Sequence, residues 1–350
     1  MEQKKKKWLG AAFSIVLTAA VSAAVALSVD WKAFGEALGR MDVWTVLAAL
    51  LTCLLARVAY TQKWHLVSPG LKLSDQLVAM GASLPLLLLP SGGIFADASR
   101  IAYFRKREEN YIAASSVVID RLTMPLSVLC FALPLMAVGG DVHFSLAVYL
   151  GLGAVAAATI CAVAVLLHPK WCAAAIEKLR PLENWRLGGK LCGTLRRTQA
   201  AMQAMDLSSS RIVCNVLMGL VGDGLMGVVY FWFGWRLGIY MPPIKWLWVY
   251  ALPSITTTVV ATAGGLGVRE ATIVAFLAVQ GVDSGRAMTL SLLYTATLTL
   301  TAAIGAGLAF FGKKALDRRS AQPLLQAEGE EGDETEPGVK VPSEIEPDHV

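Results

Sequence analysis

The sequence predicts an all-α, polytopic membrane protein, and three observations carry that prediction. The chain has 350 residues, of which 55% are hydrophobic and only 16% charged, with a mean hydropathy of +0.56. Several apolar runs reach roughly 20 residues, the length at which a helix crosses a bilayer core. The basic residues gather in short clusters beside those runs, where they act as topology determinants. Because the runs are continuous and do not alternate, a β-barrel is set aside. The net charge of +5 is spent in these flanking clusters, so no nucleic-acid partner is implied.

Charge orders the chain. Lys4, Lys5, Lys6 and Lys7 place the amino terminus in the cytoplasm and precede a first span over about 8–29, read as uncleaved. The segment 30–42 is mixed in charge and lies outside. A second span over about 43–60 returns to Lys63, His65 and Lys72, and Arg57, near its inner end, reads as a topology anchor. Spans follow over about 111–138 and 144–167. The stretch 168–211 holds eight Lys/Arg and three acids and reads as a cytoplasmic loop with one or two amphipathic surface helices. A further span over about 212–235 leads into a crowd of aromatic residues between Tyr230 and Tyr250, as at a membrane interface. The last span, about 287–311, ends at Lys313, Lys314, Arg318 and Arg319, inside. The membrane domain is thus 1–319, with about six full spans and both termini cytoplasmic. The remainder, 320–350, is rich in acids and proline and reads as a disordered tail.

Two apolar segments do not fit a simple span. "LSDQLVAMGASLPLLLLPSGGIFADASR" is interrupted by Pro85, Pro90 and Ser91-Gly92-Gly93, and basic residues flank it on both sides. A segment of this length cannot cross twice at ~1.5 Å per residue. It fits a re-entrant hairpin of two half-helices, whose broken backbone must be buried in protein or line a wet cavity. The second segment, Trp246 to Gly281, starts and finishes outside and is broken by Pro253 and by Gly264, Gly265 and Gly267. It reads as a second hairpin entering from the opposite face, or as two short crossings. Both segments carry Leu-Pro-Ser, a glycine pair, and then an acid and an arginine at a helix start. Similar segments in opposite orientation give an inverted-repeat-like arrangement.

These breaks supply the candidate site. A helix that begins within the membrane presents unpaired N–H groups and the positive end of its dipole. Glycines allow close backbone approach to an anion, and an arginine adds a forked donor suited to phosphate. The candidate substrate-binding residues are therefore Ser91, Gly92, Gly93, Asp97 and Arg100 in the first segment, and Gly264, Gly265, Gly267, Arg269 and Glu270 in the second. Asp120 and Arg121, about ten residues into their span, join them. They fit headgroup contact and a structural ion pair equally well. Glu270 stabilises its helix start or neutralises Arg269. Asp223, mid-span between glycines, is a buried partner for an arginine or a proton-coupling carboxylate.

Other chemistries find no support. Six scattered cysteines without a C-x-x-C read as buried free thiols. The four histidines do not cluster, so no metal is expected. The glycine runs lack the strand that a nucleotide loop requires, so no cofactor is expected.

"GGLGVREAT" after a proline-bearing helix, "PSGG…ADASR" before a basic loop, and Asp120-Arg121 together resemble the transmembrane domain of lysylphosphatidylglycerol synthases and their stand-alone, flippase-like relatives. The resemblance spans about residues 8–312. Where the family pattern is similar to Gly-Glu-x-x-Arg, this chain has Ala96-Asp97-Ala98-Ser99-Arg100: the charge pair is kept, and the acid is one carbon shorter. The resemblance implies a bacterial cytoplasmic-membrane protein that moves an anionic phospholipid or lipid-linked substrate between leaflets. A homo-oligomer is left open. Two-domain members carry a soluble aminoacyl-transfer domain. The 39 residues after Phe311 do not match one, so the chain is expected not to be an enzyme. The competing readings are a membrane enzyme acting on a lipid or polyprenyl phosphate, and a non-transporting scaffold for envelope assembly.

Overall fold

A computed structural model describes residues 31–89, 92–138, 146–168, 207–259 and 267–331, with scattered residues between 170 and 200. The first span, most of the 168–211 loop, and Ser91, Gly264 and Gly265 lie outside the described residues.

Ten helices are described. They are α1 (Trp31–Arg40), α2 (Val43–Leu66), α3 (Leu73–Ser83), α4 (Gly92–Tyr103), α5 (Arg107–Val138), α6 (Leu146–Leu167), α7 (Ser209–Arg236), α8 (Pro243–Val259), α9 (Val268–Val279) and α10 (Ser284–Glu331). A 3₁₀ turn, Leu84–Leu88, continues α3 with Pro85 in its first turn. Among the described residues four stretches are long and apolar enough to cross a membrane: Val43–Leu66, Glu108–Cys130, Ser209–Arg236 and Ser284–Gly312. The protein is a multi-pass membrane protein.

Helices α2 and α7 pack extensively on one another. Asp42 caps α2 by accepting from the Thr45 N–H at 3.1 Å, and Ser208 caps α7 by accepting from the Arg211 N–H. At one end Arg236 Nη2 donates to Asp42 at 2.6 Å. At the other, Asn215 Nδ2 donates to the Lys63 carbonyl at 2.6 Å. The start of α2 therefore meets the end of α7, and the helices are antiparallel.

That antiparallel pair is the seam between two copies of one plan. Each copy is a long helix, a half-helix associated with proline, a short helix carrying an acid and an arginine, and another long helix. They are α2-α3-α4-α5 and α7-α8-α9-α10. The contacts follow the same exchange: α3 packs on α10 as α8 packs on α5, α3 meets α4 as α8 meets α9, and α2 meets α10 as α7 meets α5. The inverted-repeat arrangement is thus built into the packing.

Two apolar cores flank this seam. One gathers Ala49, Cys53, Tyr230, Phe233, Trp246 and Leu277, around α8 and α9. The other gathers Trp64, Val67, Met80, Phe104, Ala113 and Ile119, around α3 and α4. Tyr60 touches both. On the outer face of α2, Leu47, Leu51, Leu55 and Val58 are exposed, a stripe at helical spacing that suits lipid contact.

Several expectations are corrected. The second span extends to Leu66, so Lys63 and His65 lie within it. Lys63 is buried, and His65 Nδ1 bonds Gln76 at 2.7 Å. The aromatic crowd divides: Trp235 and Tyr240 are exposed, whereas Tyr230, Phe233, Trp246 and Trp248 are buried in the core. Of the four described cysteines only Cys53 is buried. The last helix is described as far as Glu331. Ala321, Leu324, Leu325 and Gln326 are good helix formers that extend an existing helix. Finally, α9 has 12 residues and is ~18 Å long at 1.5 Å per residue, well short of a ~30 Å core. It packs on α8, which favours the hairpin over two crossings.

Candidate functional site

Both broken segments open onto one cavity of about 1300 Å³. From the first come Gly92, Gly93, Asp97 and Arg100, and from the second Pro253, Ser254, Ile255 and Arg269. α2 contributes Arg57, Tyr60 and Lys63. Their spacing of three puts them on one helical face, opposite the lipid-facing stripe. Asp120 and Arg121 enter from α5, Asp223 from α7, and Tyr294 and Thr295 from α10.

The first segment's charges form one network with α2 and α5. Asp97 pairs with Arg100 three residues on and with Arg121 Nε at 2.5 Å. Arg121 also donates to the Gly93 carbonyl at 3.0 Å, tying the head of α4 to α5. Asp120 receives Lys63 Nζ at 2.5 Å and lies 3.6 Å from Arg100 Nη1. The Arg100 guanidinium rests over the Trp64 ring, 5.2 Å from its centroid. Three cations thus share two carboxylates. Each side chain is desolvated on one side and needs its partner, because removing a charge from water is costly unless it is matched.

The second segment is arranged differently. Gly267 adopts φ +83°, a conformation open to glycine and strained for other residues, and heads α9. Its N–H is taken by the Glu270 carboxylate. Glu270 Oε1 also receives Arg269 Nη2 at 3.1 Å. Glu270 is 1% exposed and does not line the cavity. It neutralises the helix start from within and holds Arg269 from behind. Arg269 donates to Thr295 at 2.9 Å and sits over Tyr294, 5.6 Å from the ring centroid. The Thr256 and Thr272 hydroxyls, 3.1 Å apart, tie α8 to α9.

A third group lies between them. Asp223 Oδ1 accepts from the Tyr60 hydroxyl at 2.7 Å and the Tyr250 hydroxyl at 2.9 Å. Of its two expected roles, partner to an arginine or proton-coupling carboxylate, the first is not what is found: the neighbours are tyrosines. Arg57, read as an interfacial anchor, is instead in the cavity wall, because α2 runs on for nine residues beyond it. Among the lining residues five cations (Arg57, Lys63, Arg100, Arg121, Arg269) face three carboxylates (Asp97, Asp120, Asp223), so the cavity favours an anion. Its rim includes exposed apolar groups: Leu88 at 40%, Ile94 at 72% and Val155 at 49%. Among the described residues no group of His, Cys, Asp and Glu is placed to hold a metal ion.

The sequence profile of the lysylphosphatidylglycerol synthase TM region matches residues 8–305. The chain belongs to this family. No curated protein and no solved structure matches it.

In this lysylphosphatidylglycerol synthase TM-family chain, the structure brings together Gly92, Gly93, Asp97, Arg100, Asp120, Arg121 and Arg269, and sets Gly267 and Glu270 behind the wall. Sequence reasoning missed Arg57, Tyr60, Lys63, Tyr250 and Tyr294 as cavity residues. A usable signal was the spacing of Arg57, Tyr60 and Lys63 within a helix whose other face is purely aliphatic. The two tyrosines on α8 and α10 carried none.

Proposed function

We propose that this protein carries an anionic phospholipid or lipid-linked substrate between leaflets. The headgroup occupies the charged cavity while the acyl chains stay in the bilayer. The observation that supports this reading is one cavity walled by both broken helices, cationic in its interior and apolar at its exposed rim. Such a surface matches an amphiphile: charged at one end, hydrocarbon at the other. Family membership supports the link to lipid. The reading is of a carrier in the bacterial cytoplasmic membrane, with both termini cytoplasmic as the lysine and arginine clusters favour.

The test is the leaflet distribution of a labelled anionic phospholipid in proteoliposomes. Wild type redistributes it. Arg269→Ala slows redistribution by about tenfold or more, the worth of one charge-assisted hydrogen bond. Equal rates for the two would remove the glycine-arginine motif from the mechanism. A time-dependent chemical change in the extracted lipid would replace the carrier with an enzyme.

A further inference from the structure

Charge matching in the cavity is uneven. Lys63, Arg100 and Arg121 are each paired with Asp97 or Asp120, and Arg269 is paired with Glu270. Among the described residues Arg57 has no carboxylate within ion-pair distance. Its Nε, like that of Arg100, is buried and lacks a hydrogen-bond partner among the described residues. What it does have is aromatic: its guanidinium lies 5.8 Å from the Tyr60 ring centroid.

Arg57 lies in the interior of a 24-residue membrane-spanning helix. At such a position an unmatched charge is expensive, and ionisable residues normally pair or face a water-filled path. A guanidinium held over a ring keeps its fork of donors fixed in direction while its charge is unneutralised. That combination recognises a phosphate oxygen pair from outside the protein.

We propose that Arg57 is the cavity's phosphate-binding station. The paired network of Asp97, Arg100, Asp120 and Arg121 does not hold the phosphate and instead shapes the remainder of the headgroup site. The ligand chemistry is a phosphate mono- or diester, supplied by a lipid headgroup or by free phosphate. From Arg57 to Lys63 is six residues, ~9 Å along the helix, so the polar part of a headgroup reaches from the station to the carboxylates of the network. This assignment rests on the lipid-handling reading for its natural occupant, but its test does not need transport.

Full-length protein in detergent is equilibrated with phosphatidylglycerol or with diacylglycerol of the same acyl chains, which lacks the phosphate, and bound lipid is counted by native mass spectrometry. Wild type and the Arg286→Gln control, a charge loss at an exposed position, retain phosphatidylglycerol preferentially. Arg57→Gln weakens that retention by about tenfold, Arg57→Lys, which keeps the charge but not the fork, recovers only part of it, and melting temperatures equal to wild type report that the fold is intact. A second arm titrates inorganic phosphate. Displacement of phosphatidylglycerol by phosphate in wild type, lost in Arg57→Gln, supports the station and names free phosphate as its occupant. Phosphatidylglycerol retention by Arg57→Gln equal to wild type overturns the assignment, as does a wild type that prefers neither phosphatidylglycerol nor phosphate. Arg57-dependent binding with no leaflet redistribution would leave the station standing and remove the transport reading.

Discussion

The Tyr60 hydroxyl donates to Asp223 Oδ1 at 2.7 Å, across the antiparallel helices that begin the two repeats. This bond is possible because Gly222, one residue before the aspartate, has no side chain. A Cβ there would lie 2.6 Å from Cε1 of the Tyr60 ring. The tyrosine lies against bare backbone, and its hydroxyl reaches the carboxylate, where the Tyr250 hydroxyl arrives from α8 at 2.9 Å. Three elements are thereby joined at the cavity.

Gly222→Ala is expected to push the Tyr60 ring away and to lower stability by about 1–3 kcal/mol, the usual cost of overpacking a filled site. Gly153→Ala provides the contrast, because a Cβ at Gly153 meets nothing within 4 Å. The melting temperatures of the two variants in detergent check this. An equal effect at both positions would argue against the close approach at Gly222.

Lys63 is held by Asp120, by the Asp120 carbonyl at 3.0 Å and by Thr123 at 3.1 Å. Lys63→Met leaves Asp120 buried with one remaining cation, Arg100 at 3.6 Å. The expected loss is about 3–5 kcal/mol, the range for breaking one side of a buried pair. Adding Asp120→Asn removes the stranded charge, so the double variant recovers part of the loss. Additive losses in a double-mutant cycle would show that the two side chains are not coupled.

Asp42 lies just before α2, outside its membrane-spanning segment. Bonding from the Thr45 hydroxyl, followed by the Thr45 N–H and the nearby Arg236 guanidinium, holds its carboxyl below the ordinary value of 3.8. A carboxyl depressed in the folded state adds stability above its unfolded pKa and loses it as pH falls through the folded one. The melting-temperature gap between wild type and Asp42→Asn, which keeps the cap but not the charge, is therefore expected to be constant from pH 7 to about pH 4 and to narrow below that. A gap that widens on acidification would reverse the sign.

The hairpins were legible because proline and glycine interrupt runs that otherwise read as helix. Their pairing with opposite orientation was legible because flanking lysines and arginines set direction. Asp97, Arg100, Asp120 and Arg121 were identifiable because charge inside an apolar run is rare. Arg57 and Lys63 were misread by the same rule, since near the end of a predicted span a cation looks like an anchor. Where α2 ends was decided by its packing against α7, which carries the helix on to Leu66.

By itself the sequence determined helices, their membrane setting and two broken segments, because hydropathy and backbone chemistry act locally along the chain. Which charges meet which was decided only by tertiary structure. Asp223 meets tyrosines rather than an arginine, Glu270 turns away from the cavity, and Arg57 is left without a carboxylate. Each outcome depends on side chains brought together from separate helices, such as Tyr60 and Asp223, 163 residues apart, and spacing along one helix cannot encode those distances.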